Sequence, residues 1–404
     1  MTRTLVTGIG VATPNGLGID DFWAATRVGT NTIGPLTRFD PGGHTAPLAG
    51  EIRGFDPADH LPGRLIPQTD RITQLALLAA DRAFTDAGIT PGDLPAHTLG
   101  VVTAATTGGI EFSERELRKL FTQGPRHVSA YHSFATFHAA ATGQLSIRNN
   151  TRGPAGVLVT DHAGGLDAIA HARRRIRAGT RLVLTGGVDA SLCPWGWAAQ
   201  LSTGLMSTAT DPATAYLPFD DRARGYIPGE GGALLILEDE HSARARGAAT
   251  IHGEIAGCAA TMDPRPGTGR EPGLRRALEL ALADAACRPG DVDVVFADAA
   301  GTPRLDREEA DAITAVFGPR GVPVTAPKTM TGRLAAGSAP VDVVTAVLAM
   351  REGLIPPTTN VETSPHYALD LVTTTPRTAC VDTALVLARG HGGFNSAVLI
   401  RSTS

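Results

Sequence analysis

The sequence predicts an α/β protein built from two related halves, on two observations: β-branched runs alternate with Ala/Leu-rich stretches, and part of the first half recurs in the second. The first strand is read at Thr4-Leu5-Val6-Thr7. It enters Thr7-Gly8-Ile9-Gly10-Val11-Ala12-Thr13-Pro14, which has the outline of a dinucleotide loop. Thr13 stands where the third glycine belongs, Pro14 follows, and Asp20 and Asp21 come too early to reach a ribose, so the glycines are read as a tight turn. Next come a helix over Leu75 to Ala87, strands at Gly100 to Ala104 and Val157 to Thr160, a helix over Gly164 to Ala178 and a strand at Leu182 to Thr185. Ala79, Ala83, Asp86, Ala87, Pro91, Gly92 and Asp93 recur at an offset of 198 as Ala277, Ala281, Asp284, Ala285, Pro289, Gly290 and Asp291. Each time a helix leads through Pro-Gly-Asp into a valine-rich strand, Val101-Val102 or Val292 to Val295. Chance matching in an Ala-rich chain is the alternative to duplication. A duplication puts the boundary near residue 250, with halves 1–250 and 251–404 packed as one body because no long linker parts them.

Composition narrows the function classes. A chain of 404 residues with 42% hydrophobic content can bury one large core or two ordinary ones, which excludes a small binding module. The formal charge is −4 and the 36 basic residues are dispersed, so no concentrated field is available for nucleic acid. No run approaches the ~18 apolar residues of a membrane span. The amino terminus enters a strand pattern without a signal peptide's apolar region, so the expected location is cytoplasmic. Cys193, Cys258, Cys287 and Cys380 lie far apart without a Cys-x-x-Cys pair, which argues against zinc and disulfides; they are expected to be ordinary buried residues.

The segment from Gly156 to Ala172 reads strand, sharp turn, helix, the kind of elbow on which nucleophiles are placed. Small residues at Ala163, Gly164, Gly165 and Ala168 allow close helix packing. The elbow carries His162, which the helix dipole is expected to keep neutral as a hydrogen-bonding group or weak base. A buried side chain filling a vacated pocket is the other reading, and the two stand together.

The chain resembles the thiolase-fold ketosynthases, and among them the chain length factors of bacterial type II polyketide synthases. The matching stretches are Val6 to Val11 with Phe22-Trp23 and Arg38-Phe39-Asp40, Pro218-Phe219-Asp220 with Gly229-Glu230-Gly231-Gly232, and Gly390 to Ser396. The resemblance implies a thiolase-like fold whose duplicated halves form a five-layered αβαβα core. Active members carry a Cys at the elbow and two catalytic His residues; His162, Ala300 and Arg333 stand at those three positions here. Condensation requires a thiolate to hold the acyl chain and two imidazoles at the forming enolate, so the degenerate set implies no condensing activity by this chain alone. Lys328 survives and is read as a structural ion pair rather than a base.

The resemblance further implies a heterodimer with an active ketosynthase alpha subunit, forming an acyltransferase complex that elongates malonyl-derived chains. No bound cofactor is implied; substrates are tethered through phosphopantetheine to an acyl carrier protein, the second partner. Ile110, Ser113 and Leu117 are spaced to share one helix face, and they match the positions that set tunnel depth in the family, with Phe134 and Trp195 near them. Chain length factors mostly carry Gln at the elbow, linked to malonyl decarboxylation for priming; His162 keeps one hydrogen bond to offer, so a priming activity stays open beside the tunnel-shaping and pure-scaffold readings. Arg173, Arg174, Arg175 and Arg177 crowd the end of the elbow helix, either to offset its dipole or to receive an acidic carrier protein.

Overall fold

The computed structural model describes every residue except Met1, His44, Pro266, Thr363 and Ser404. Eleven strands form one sheet: β1 Thr4–Ala12, β2 Leu99–Ala104, β3 Ala155–Leu158, β4 Leu182–Asp189, β5 Gly231–Asp239, β6 Gly253–Met262, β7 Val294–Phe296, β8 Pro323–Thr325, β9 Asp370–Leu371, β10 Thr383–Gly390 and β11 Phe394–Arg401. Their order is β9-β8-β7-β10-β11-β6-β1-β5-β4-β2-β3. In the first half β3, β2 and β4 run parallel, then β5 and β1 alternate in direction; in the second β8, β7 and β10 run parallel, then β11 and β6 alternate. The two five-strand units share one topology and meet where β1 pairs antiparallel with β6.

Seven helices matter for the site: α1 Arg71–Asp86, α2 Ile110–Gln123, α3 Gly164–Arg177, α4 Pro194–Leu201, α5 Leu274–Asp284, α6 Pro303–Phe317 and α7 Ser338–Glu352. α3 and α7 lie between the sheet halves, touching strands of both and each other. α1 covers β1 and β5 on one outer face, and α5 covers β6 and β11 on the other, which gives five layers. Burial on both faces explains why β1, β2 and β4 read as continuous apolar or small runs without alternation. It also explains why α7 is apolar around its circumference, with every residue from Ser338 to Ala349 buried.

The repeated residues mark one contact made twice. A Cβ on Gly8 would sit 2.4 Å from the Ala83 carbonyl oxygen and 2.7 Å from the Ala87 Cβ; one on Gly257 would sit 2.2 Å from the Ala281 oxygen and 2.8 Å from the Ala285 Cβ. The glycines of β1 are therefore strand residues over which α1 packs, not the tight turn expected, which comes later where Thr13 and Gly16 exchange backbone hydrogen bonds. Asp86 accepts from the Ile9 N–H and Asp284 from the Cys258 N–H, the same clamp in each half. Both Pro-Gly-Asp stretches form short 3₁₀ turns after their helices. At the centre, Gly165 meets Pro340 Cδ at 2.3 Å from its notional Cβ, so the small residues of α3 do allow the close approach to α7.

Two expectations are corrected here. Only Cys193 is buried; Cys258 and Cys287 are half-buried and Cys380 is exposed. Arg173 is not a free surface cation: its guanidinium is buried, reaching Asp284 at 2.5 Å and the Ala256 carbonyl. Among the described residues no helix is long and apolar enough to cross a membrane.

Candidate functional site

The elbow between β3 and α3 is a 3₁₀ turn at Asp161–Ala163 with Asp161 at φ 52°, a left-handed conformation that is costly away from glycine. It is held because the Asp161 carboxylate accepts the His391 N–H at 2.7 Å, fixing the Gly390–Gly393 turn against the elbow. His162, Ala300 and Arg333 all line one cavity of about 860 Å³, so the three positions picked out by the resemblance converge although they are far apart in sequence. Thr106, Thr107 and Ala335 form part of its wall, fixed by buried Asp189, which accepts from the N–H groups of Thr106, Thr107 and Ala336. None of the four cysteines lines it.

The His162 ring stands edge-on to Tyr226 with centroids 6.0 Å apart, and the Arg333 guanidinium lies 5.6 Å from the Tyr226 centroid on the cation–π side. The His162 Nδ1 is sealed from solvent without a partner. Burial first and the Arg333 charge second hold this imidazole below the ordinary histidine range. It is neutral, as expected, and burial and the Arg333 charge are causes that the sequence reading did not include.

Sequence reasoning missed what Arg333 does. Its two terminal nitrogens donate to Asp298 at 3.1 and 2.8 Å, and both side chains are 4% exposed. Burial would raise Asp298; the Arg333 and Lys328 charges outweigh it and hold the carboxylate below its usual range. Lys328 is an ion pair, 2.7 Å from Asp342 on α7, as read from the sequence. Behind Ala300, Glu309 on α6 accepts from the Asp298 and Ala299 N–H groups, and Asp306 accepts from Gly301 and Phe219. Asp298 two residues before Ala300 and the cation Arg333 both stand in the sequence, but nothing in it pairs them.

The candidate tunnel residues gather on a different face. Ile110, Ser113 and Leu117 are half-buried on α2, whose own core contacts are Phe112 and Glu116. Trp195, in the first turn of α4, donates its N–H to Glu114 of α2 at 2.9 Å. Phe134 sits on the short helix His132–Ala135, which abuts the start of α2 at Gly109. Phe134 and Trp195 remain 48% and 47% exposed, and Phe121, Phe137, Ile147 and Val159 are exposed too. β3, at the other end of the elbow turn from α3, is an edge strand of the sheet.

Residues 1–243 match the family described as beta-ketoacyl synthase, N-terminal domain, and residues 252–362 its C-terminal domain. The chain is 57% identical over 398 residues, 98% of each sequence, to the actinorhodin polyketide putative beta-ketoacyl synthase 2 of Streptomyces coelicolor. It is 57% identical over 399 residues, again 98% of each, to the tetracenomycin polyketide synthase ketoacyl synthase beta subunit of Streptomyces glaucescens. Among solved structures it resembles the ishigamide ketosynthase/chain length factor, with TM-score 0.91 and 28% identity over all of both chains. It also resembles a type II polyketide synthase acyl-carrier protein in complex with its ketosynthase bound to the hexaketide, with TM-score 0.89 and 26% identity over all of both chains. This chain belongs to the beta-ketoacyl synthase family, on its ketosynthase beta, or chain length factor, branch.

Proposed function

We propose that this chain is the non-catalytic chain length factor of a type II polyketide synthase. It pairs with an active ketosynthase alpha subunit and shapes the tunnel into which chains delivered by an acyl carrier protein grow. The observation that carries this reading is the cavity at the elbow, where a neutral imidazole, a methyl group and a neutralised guanidinium replace a thiolate and two imidazoles. Nothing there holds an acyl chain covalently. The apolar face around Phe134 and Trp195 is the surface we assign to the partner, and the two halves are divided near residue 250.

Co-expression with a cognate ketosynthase and carrier protein is expected to give a one-to-one heterodimer and products of defined length. This chain alone should be inert towards malonyl-carrier substrate. Ile110→Ala with Leu117→Ala should lengthen the product by at least one two-carbon unit, read by mass; unchanged length removes the tunnel assignment and leaves a scaffold. A homodimer that condenses alone overturns the whole reading.

The place of the His162 ring in the wall of a roomy cavity favours one additional activity, decarboxylation of a malonyl thioester to the acetyl primer. Carbon dioxide leaves, His162 hydrogen-bonds the enolate oxygen, and the carbanion takes a proton from water. His162→Ala should then cut priming by the reconstituted complex about 10-fold or more, while unchanged acetyl formation rejects it.

A further inference from the structure

Resting on the tunnel reading above, we propose that His132, paired with Ser113, forms a polar station in the tunnel wall that hydrogen-bonds a carbonyl of the growing poly-β-ketone. His132 is therefore a further positioning residue for chain length. The Ser113 Oγ lies 3.3 Å from the His132 Nε2, and neither side-chain group has another recorded hydrogen bond. Ile110 and Leu117 share the helical face of Ser113, Phe134 belongs to the same short helix as His132, and the Trp195 backbone is bonded to Glu114 of α2. Apolar walls set the volume available but do not distinguish a ketone from a methylene; only a donor does.

The pair always has one donor to spare. A neutral imidazole brings one N–H and serine one O–H, and their mutual bond uses one of the two. If Nε2 carries the proton, it donates to Oγ and the Ser113 hydroxyl proton is free. If Nδ1 carries it, Ser113 donates to Nε2 and the Nδ1–H is free. A poly-β-ketone presents an acceptor at every second carbon, so a fixed donor along the wall favours registers in which a carbonyl faces it. The hydrogen bond from the Trp195 N–H to Glu114 and the Glu116 carboxylate, which accepts the Ser129 N–H at 2.8 Å, brace α2 against α4 and against the segment leading to His132. The spacing between station and apolar gate is thereby kept.

The test is the product distribution of the reconstituted complex, with heterodimer formation checked by size for every variant. His132→Leu keeps bulk and removes the ring donor, and combined with Ser113→Ala it leaves no donor. The ratio of the main product to its nearest two-carbon neighbours should fall about 3- to 10-fold in the double variant. His132→Asn, which restores an N–H, should recover most of the ratio. Ile110→Ala with Leu117→Ala is run alongside. If that control lengthens the product while the His132 and Ser113 changes leave the ratio untouched, the station is refuted and the tunnel stands. If the control also has no effect, the tunnel reading itself fails, and the station with it.

Discussion

Arg333→Met lowers the stability of the fold by about 3–5 kcal/mol in urea unfolding. The reason lies in what is left behind. Asp298 is buried to 4% exposure and accepts two bonds from Arg333 and one from the Arg389 N–H at 2.9 Å. Without the guanidinium, burial prevails over the remaining Lys328 charge and the carboxylate must either stay uncompensated or take up a proton. The intact pair holds Asp298 below its unfolded value, so its contribution is present above about pH 4 and is lost as the pH falls further. The gap between wild type and Arg333→Met should accordingly narrow in acid. Asp298→Leu combined with Arg333→Met should regain much of the loss, because an apolar pair of similar volume carries no desolvation cost. A loss under about 1 kcal/mol for Arg333→Met at neutral pH would mean that the pair does not compensate Asp298. The chemical reading follows from the same geometry: an arginine tied on both terminal nitrogens to Asp298 has no free fork for a substrate carboxylate.

The duplication was legible because it is enforced by contact. Ala83 and Ala87 recur as Ala281 and Ala285 where a helix lies directly over a strand glycine, and a Cβ on that glycine would meet helix backbone. The purpose of those glycines was not legible: a sequence does not separate a glycine chosen for a turn from one chosen for close helix approach. The elbow was readable from small residues and strand-to-helix order. The Asp298–Arg333 pair was not, since the two stand 35 positions apart and only the packed fold makes them neighbours. The neutrality of His162 came out correctly from a dipole argument, although burial and the Arg333 charge are what hold its proton affinity down in the fold. Ile110, Ser113 and Leu117 were readable as one helical face, but His132 was silent, because its contact to Ser113 crosses between two helices.

Between pH 6.5 and 8 the folded state should lose about 2 kcal/mol, the tail of a larger loss that begins near pH 4 and is spread over three buried carboxyls. Burial pushes Asp70, Asp306 and Glu309 up to about 7. Each binds its proton more tightly in the folded chain, so its stabilising contribution is complete below the unfolded value near 4 and is lost as the pH rises through about 7. Each also accepts two backbone N–H groups, which favour ionisation and already temper the rise that burial imposes. His162 acts in the opposite sense. Neutral in the fold, it destabilises the protein as the pH drops below the unfolded histidine value near 6.5, and so offsets up to about one third of the carboxyl slope there. Glu309→Gln should give the clearest change in slope, because ionising Glu309 places a second negative charge beside Asp298 and raises the cost at Asp306. The variant loses about 1 kcal/mol at pH 5 for one forfeited N–H acceptor, and its curve between pH 6.5 and 8 is shallower than that of the wild type. Parallel curves for the two would mean that Glu309 is already ionised in the fold, its two N–H donors from Asp298 and Ala299 having outweighed burial.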